Sequence, residues 1–131
     1  MSVEFTYDEE HNILYTRFFG VVINDDMRDQ AKAVAADPRI KTGVRELVDL
    51  AGVEEIQGSS SSLEDNIRID RAHSEKLAGM RTAIVASTDL MFGFARMYQT
   101  LAELQGSPLT VEVFRTVGEA REWLGIQDDE V

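Results

Sequence analysis

Apolar residues recur along this chain with two periods, and the periods alternate from one segment to the next. In residues 3–7 apolar and polar side chains alternate, which is typical of a strand with one buried face. In residues 25–36 apolar side chains return every three or four positions, as on an amphipathic helix. Residues 82–86 form an unbroken apolar run, typical of a strand buried on both faces. The pattern therefore predicts a protein that contains both helices and strands.

Local signals set the limits of the predicted elements. Thr88 and Thr116 stand at helix N-cap positions, and Glu119 completes a capping box with Thr116. Pro38 and Pro108 interrupt the chain between elements. The predicted strands are residues 3–7, 13–19, 46–50, 82–86 and 109–113, and the predicted helices are residues 25–36, 63–78, 89–105 and a last helix between Thr116 and Gly125.

The element order β-β-α-β-α-β-α-β-α predicts an α/β fold. Strands that are separated by helices favour parallel pairing, whereas the first two strands lie close enough in sequence for an antiparallel hairpin. We therefore expect one mixed sheet with an N-terminal antiparallel hairpin and flanking helices. A length of 131 residues suits one domain spanning residues 1–131.

Composition excludes some partners and compartments. The chain has 13 Lys and Arg against 24 Asp and Glu, a formal charge of −11, which argues against nucleic acid because phosphate binding needs a basic face. It has no cysteine, so disulfides and thiolate metal sites are excluded. We see no signal-peptide pattern at the start and no apolar run long enough to span a membrane, and we expect a cytoplasmic protein.

The residue patterns that carry catalysis are mostly absent. His11 and His73 each lack a second ligand at helical spacing, so no metal site is predicted. Residues 58–62 resemble the start of a nucleophile elbow but lack its closing glycine and do not follow a strand directly. No glycine-rich nucleotide loop occurs. We therefore expect a protein that is not an enzyme and that holds no cofactor.

Four serines, residues 59–62, end a predicted loop over residues 52–62, and two interpretations stay open. They form a flexible loop that caps the following helix, or Ser60 and Ser61 form a phosphorylation or anion site. A helix N-terminus stabilises a bound or covalent phosphate through its free N–H groups and its dipole. Phosphorylation there would add about −1.5 to −2 charges and could switch a docking surface.

The predicted helix over residues 89–105 is apolar around most of its circumference. Met91, Phe92 and Tyr98 widen its apolar surface beyond one face. Such a helix is deeply buried, or it forms a dimer interface or a pocket for an apolar ligand at these three residues. Its predicted core stripe is Leu90, Phe94, Met97, Leu101 and Leu104.

Two stretches of the chain resemble a known family. Residues 47–54, followed by the serines and a helix, resemble the centre of the STAS domain of bacterial anti-sigma-factor antagonists. Residues 82–124 resemble its SpoIIAA-like sub-group, through the phrase at residues 93–98, then residues 113–115 and a closing helix with Trp123. The resemblance covers most of the chain in the order of its elements.

The resemblance implies a mixed sheet flanked by helices, no catalysis, and binding of a protein partner or of a second copy. In the antagonists an Asp-Ser-Ser-Gly motif is phosphorylated; Ser60 and Ser61 match its serines, while Ser59 and Ser62 replace its Asp and Gly. The sub-group also resembles lipid-transfer domains of the Sec14 type, which implies an apolar small molecule or a membrane surface as an alternative target.

Overall fold

The computed structural model describes residues 2–127, and its elements follow the predicted order. The sequence-based prediction of an α/β fold with the order β-β-α-β-α-β-α-β-α is confirmed. The strands are β1 (Val3–Asp8), β2 (Ile13–Ile23), β3 (Arg45–Gln57), β4 (Arg81–Val85) and β5 (Thr110–Phe114), and the helices are α1 (Asn24–Ala36), α2 (Ser60–Ala72), α3 (Asp89–Leu104) and α4 (Val117–Leu124).

The five strands form one sheet in the order β1-β2-β3-β4-β5. β1 and β2 pair as an antiparallel hairpin in which Val3 lies opposite Phe18. The other neighbouring strands pair in parallel, as expected for strands connected by helices. Asn12 has a φ of 55° in the turn between β1 and β2, a left-handed conformation that asparagine tolerates better than most residues.

Helices cover the two faces of the sheet unequally. α1, α2 and α3 pack on one face, where Val48 and Ile84 lie in one apolar cluster with Ile67 of α2 and Ala95 of α3. On the other face α4 is the one helix that the described residues form, and Leu124 lies there in a cluster with Ala83 and Leu47. Alternation along each strand therefore supplies both layers of the core.

The structure moves the predicted boundaries of β2, β3 and α2. Residues 52–57, predicted as loop, continue β3, because β2 also runs on to Ile23 and pairs with Gln57. The following helix begins at Ser60 instead of residue 63 and ends at Ala72 instead of residue 78. The strand prediction missed this extension because Glu54 and Glu55 make the segment polar, and its pairing depends on a partner distant in sequence.

Only part of the predicted core stripe of α3 faces the core: Phe94 and Leu101 pack against it, and the other three residues of the stripe are exposed. Leu90 and Leu104 are 74% and 78% exposed, whereas Ala95 and Ala102 are buried. The amide of Gln99 donates a hydrogen bond of 2.8 Å to the carbonyl of Val111 in β5. Small side chains and this amide face the sheet. They allow the helix to lie close to it.

Candidate ligand pocket

A cavity of about 110 Å³ lies between the sheet and helices α1 to α3. It is partly open to solvent, and most of its wall is apolar. The polar side chains in the wall belong to Gln30, Glu46, Asn66, Thr82 and Tyr98. The apolar side chains belong to Phe18, Val22, Met27, Val48, Leu50, Val53, Ile56, Leu63, Ile84, Phe94 and Ala95.

The long strands β2 and β3 create the outer wall of this cavity. β4 pairs with β3 only as far as Asp49, but β3 continues beside β2 to Gln57. Two irregularities interrupt the ladder of this extension, after Arg17 and after Gly20. Such irregularities bend and twist a strand pair. The extension places Val53 and Ile56 opposite α3, and the space between them stays unfilled.

A buried glutamate lies in the polar part of the cavity wall. Glu46 is only 5% exposed. Its Oε2 accepts hydrogen bonds from Thr16 Oγ1 at 2.7 Å and Gln30 Nε2 at 3.4 Å, and its Oε1 accepts one from Thr82 Oγ1 at 3.2 Å. Burial raises the pKa of the Glu46 carboxyl, and these three hydrogen bonds oppose the rise. All three donors are neutral, so none of them balances the charge of an ionised Glu46.

A second, smaller cavity of about 60 Å³ shares part of this wall and adds another acid. Glu46, Asn66 and Tyr98 line both cavities, and Asp70 of α2 lines the second. Burial, with a contribution from the nearby charge of Glu46, raises the pKa of Asp70 to about 7, although a hydrogen bond from Tyr98 opposes the rise. Burial and the two acids also raise the pKa of the Tyr98 hydroxyl.

One polar atom in the wall has no partner. The Oδ1 atom of Asn66 is buried, and no donor within the described residues reaches it. A buried acceptor without a donor is costly, and few occur in folded proteins. The cavity therefore combines an apolar wall with a small number of convergent polar groups, which is the composition typical of a small-molecule site.

The structure separates the three residues predicted as an apolar ligand site or interface. Tyr98 lines the cavity. Met91 is buried in the core beneath α3. Phe92 is partly buried, and Cζ of the Arg115 guanidinium lies 4.1 Å from the centre of the Phe92 ring. Successive positions on a helix point in different directions, so an apolar surface around α3 could not predict which side chain reaches the cavity.

The residues that sequence analysis missed are Glu46, Asn66 and Asp70. Glu46 precedes the apolar residues 47 and 48 in a predicted buried strand. This was a signal of a buried acid, because a strand buried on both faces has no exposed position for it. Asn66 and Asp70 lie four residues apart on α2, and this spacing places them on one face of the helix. The helix is polar over most of its surface, so its sequence does not mark this face as buried.

The serines lie at the start of α2. Ser59 is the N-cap residue; its backbone N–H donates to Ser62 Oγ at 3.0 Å, and Ser62 Oγ donates to the Ser59 carbonyl at 2.7 Å. The side chain of Ser61 is exposed, and its Oγ lies 2.9 Å from Ser59 Oγ. Ser60 is the first helical residue, and its side chain lies outside the described part of the structure. A phosphorylation or anion site at Ser60 and Ser61 stays a prediction.

Both histidines have local partners. His11 Nδ1 lies 2.8 Å from a carboxylate oxygen of Asp8, and His73 Nδ1 lies 2.9 Å from the carbonyl of Ile69. Within residues 2–127 no group of three or more histidine, aspartate or glutamate side chains is placed to hold a metal ion. No helix in the described part of the chain is both long enough and apolar enough to cross a membrane.

Among the described residues the mixed sheet carries three helices on one face and one on the other, the arrangement of an α/β domain. The family model described as SpoIIAA-like matches residues 13–125, and this chain therefore belongs to the SpoIIAA-like family. This confirms the family that the sequence resembles. No curated protein gives a significant match.

A solved structure also shares the fold. It is an uncharacterized protein from the DUF3478 family with a SpoIIAA-like fold, from Shewanella loihica PV-4. The two structures align with a TM-score of 0.59 over 94% of each chain, at 15% sequence identity. At this identity the likeness shows the fold alone.

Proposed function

We propose that this chain is a non-enzymatic binding module whose cavity beneath α3 takes up a small, largely apolar molecule. The observation that supports this most is the cavity itself, in which an apolar wall surrounds the polar groups of Glu46, Asn66 and Tyr98. The side chains of the sheet and of helices α1 to α3 leave this partly open space unfilled, whereas close packing is the rule inside proteins. Ligand sites have this concave, mostly apolar character.

The volume limits the size of the occupant. An apolar cavity of about 150 Å³ takes up benzene. The cavity here, at about 110 Å³ with an open side, therefore suits a molecule with one ring or a short chain. A long acyl chain would extend through the opening into solvent. The resemblance implies a lipid-like molecule as an alternative target, and the volume of the cavity limits that target to a small molecule.

A pair of matched variants tests the proposal. Val53→Phe fills the cavity from its outer wall, and Val21→Phe makes the same change at a residue that is 45% exposed and does not line the cavity. Calorimetric titration with ethylbenzene should show binding to the unmodified chain and to Val21→Phe, and at least a tenfold loss of affinity in Val53→Phe. Equal binding to all three proteins would contradict the proposal.

A second candidate function is contact with another copy of this chain through α3. Leu90, Met97 and Leu104 are exposed at intervals of seven residues on that helix. The stripe is symmetric about Met97, so an antiparallel second copy would place Leu90 against Leu104 at both ends. An interface that matches itself in this way suits a two-fold symmetric dimer.

Light scattering of variants tests the dimer. Met97→Glu should convert a dimer to a monomer, because it places two charges at the symmetry axis. Val117→Glu is the matched control, since Val117 is 41% exposed, close to the 38% of Met97, but lies on α4. A monomeric unmodified chain at high concentration would exclude this candidate and leave binding in the cavity untouched.

A further inference from the structure

We infer that the occupant of the cavity is a small apolar amine, bound with its ammonium group toward Glu46 and its hydrocarbon part against the apolar wall. This inference rests on the proposed function, because it names the chemistry of a ligand for the same cavity. It follows from the hydrogen-bonding groups, the charges and the shape of the wall.

Two oxygen atoms in the cavity wall can each accept a further hydrogen bond. Each carboxylate oxygen can accept about two hydrogen bonds. Within the described residues Glu46 Oε1 accepts one, from Thr82 at 3.2 Å, and so retains room for another donor. Asn66 Oδ1 is buried and accepts none. An occupant that carries N–H groups would supply the kind of donor that both atoms lack.

The charges of the wall also favour a cation. Glu46 and Asp70 are both buried; Glu46 lines both cavities, Asp70 lines the second, and the charge of Glu46 acts on Asp70. None of the described residues that line the two cavities is lysine, arginine or histidine. A buried carboxylate without a cation is costly: it takes up a proton more readily, as the raised pKa values of Glu46 and Asp70 indicate, or it pairs with a cation. An ammonium group would supply the missing charge, whereas an anion would add to the repulsion.

The shape of the wall explains why the cation would be an organic amine. Apolar side chains, including those of Phe18, Ile84 and Phe94, cover most of the cavity surface. A hydrated metal ion would lose its water there and gain few oxygen ligands. A single ring or short chain attached to an ammonium group would fill the apolar part and leave three N–H donors at the polar end.

Three compounds with one shared framework separate the alternatives. Benzylamine carries a cation, ethylbenzene is its neutral counterpart, and phenylacetate carries an anion. Calorimetric titration of the unmodified chain at pH 7.5 should show benzylamine binding at least ten times more tightly than ethylbenzene, with phenylacetate the weakest. Equal or tighter binding of ethylbenzene or phenylacetate would overturn the inference while leaving the proposed function in place. If none of the three binds, both are overturned.

Two variants assign the effect to Glu46. Glu46→Gln keeps the shape of the side chain and removes its charge, so the preference for benzylamine over ethylbenzene should fall to less than threefold. Glu103→Gln makes the same change at an exposed position of α3 and should keep the tenfold preference. A preference that survives Glu46→Gln would overturn the assignment. The comparison of the three compounds on the unmodified chain does not depend on how either variant folds.

Discussion

The two faces of the sheet differ in how completely they are packed and in how their charges are balanced. On the face covered by α4, Ile13, Ala83, Ala120 and Leu124 are completely buried. On the face covered by α1 to α3, a cavity of about 110 Å³ remains beside the buried acid Glu46. The α4 face therefore has the character of a structural core, and the opposite face combines a core with a binding site.

Charged groups show the same contrast. Arg45 and Arg81 reach the end of α4, where both donate to the carbonyl of Leu124, at 3.1 and 3.2 Å respectively. Cations at the C-terminal end of a helix are stabilising, because the last carbonyls carry partial negative charge. The acids on the other face have no such partner in their cavity walls. The sheet therefore separates the stabilising contacts of α4 from the acids that line the cavities on the opposite face.

The largest expected effect breaks the packing of the α4 face. Leu124→Ala removes a side chain that is completely buried, and it should lower the free energy of unfolding by about 3 kcal/mol. Leu104→Ala makes the same change at an exposed residue and should change that free energy by less than about 0.5 kcal/mol. Urea unfolding measures both. Similar losses in the two variants would show that α4 does not complete a core.

The next effect concerns the buried acids and the pH. The pKa of Asp70 is raised to about 7, so the folded chain binds more protons than the unfolded chain between about pH 4 and pH 7. Its contribution to stability is therefore complete below that window and is lost as the pH rises through 7. Between pH 4 and pH 8 the free energy of unfolding of Asp70→Asn should fall by about 2–3 kcal/mol less than that of the unmodified chain, because the variant cannot ionise at this position.

Urea unfolding at intervals from pH 4 to pH 8 measures this change. The free energy of unfolding of the unmodified chain should fall more steeply across this window than that of Asp70→Asn. The raised pKa of Glu46 has the same sign, so some slope should remain in the variant. Parallel curves for the two proteins would contradict the burial of an uncompensated acid at Asp70.

A smaller effect tests the balanced charges at the end of α4. Arg45 donates to the carbonyls of Leu124 and Gly125, and also to that of His11. Arg45→Met keeps the aliphatic part of the side chain and removes these hydrogen bonds, which should cost about 1–2 kcal/mol. Arg68→Met removes an exposed pair with Asp65 and should cost less than about 0.5 kcal/mol. Equal costs in chemical denaturation would contradict the role assigned to Arg45.

The smallest expected effect is at the cavity itself. Val53→Phe adds a ring to an unfilled space, so it should change the free energy of unfolding by less than about 1 kcal/mol. Ala83→Leu enlarges a side chain in the filled layer under α4 and should cost about 1–3 kcal/mol through overpacking. Thermal unfolding compares the two. If Val53→Phe is the more damaging change, the space beneath α3 is already filled.

Sequence analysis predicted best the features that depend on neighbours in the chain. The caps are examples: Thr88 Oγ1 accepts from Met91 N, and Thr116 Oγ1 accepts from Glu119 N, both at 3.2 Å. Gly125 ends α4 with a φ of 70°, as its position after the helix predicted. Capping needs only a few consecutive residues, so these signals are visible in the sequence alone.

Features that depend on distant partners were missed. The second half of β3 is a strand because β2 lies beside it, and no local pattern marks it. The apolar surface of α3 extends too far around the helix to indicate which side meets the sheet. Glu46 is buried because Thr16 and Thr82, from two neighbouring strands, donate to it. The cavity arises from all three features, which explains why, of the residues predicted as a ligand site or interface, Tyr98 alone lines it.

The most direct test of a binding site on one face is a methyl NMR titration with ethylbenzene. Ile84 and Leu63 line the cavity, and Ile13 and Leu124 lie in the apolar cluster between the sheet and α4. The signals of the first pair should shift with saturation as ligand is added, while those of the second pair should stay in place. Shifts of equal size on both faces, or no shift at saturating ligand, would contradict a binding site beneath α3.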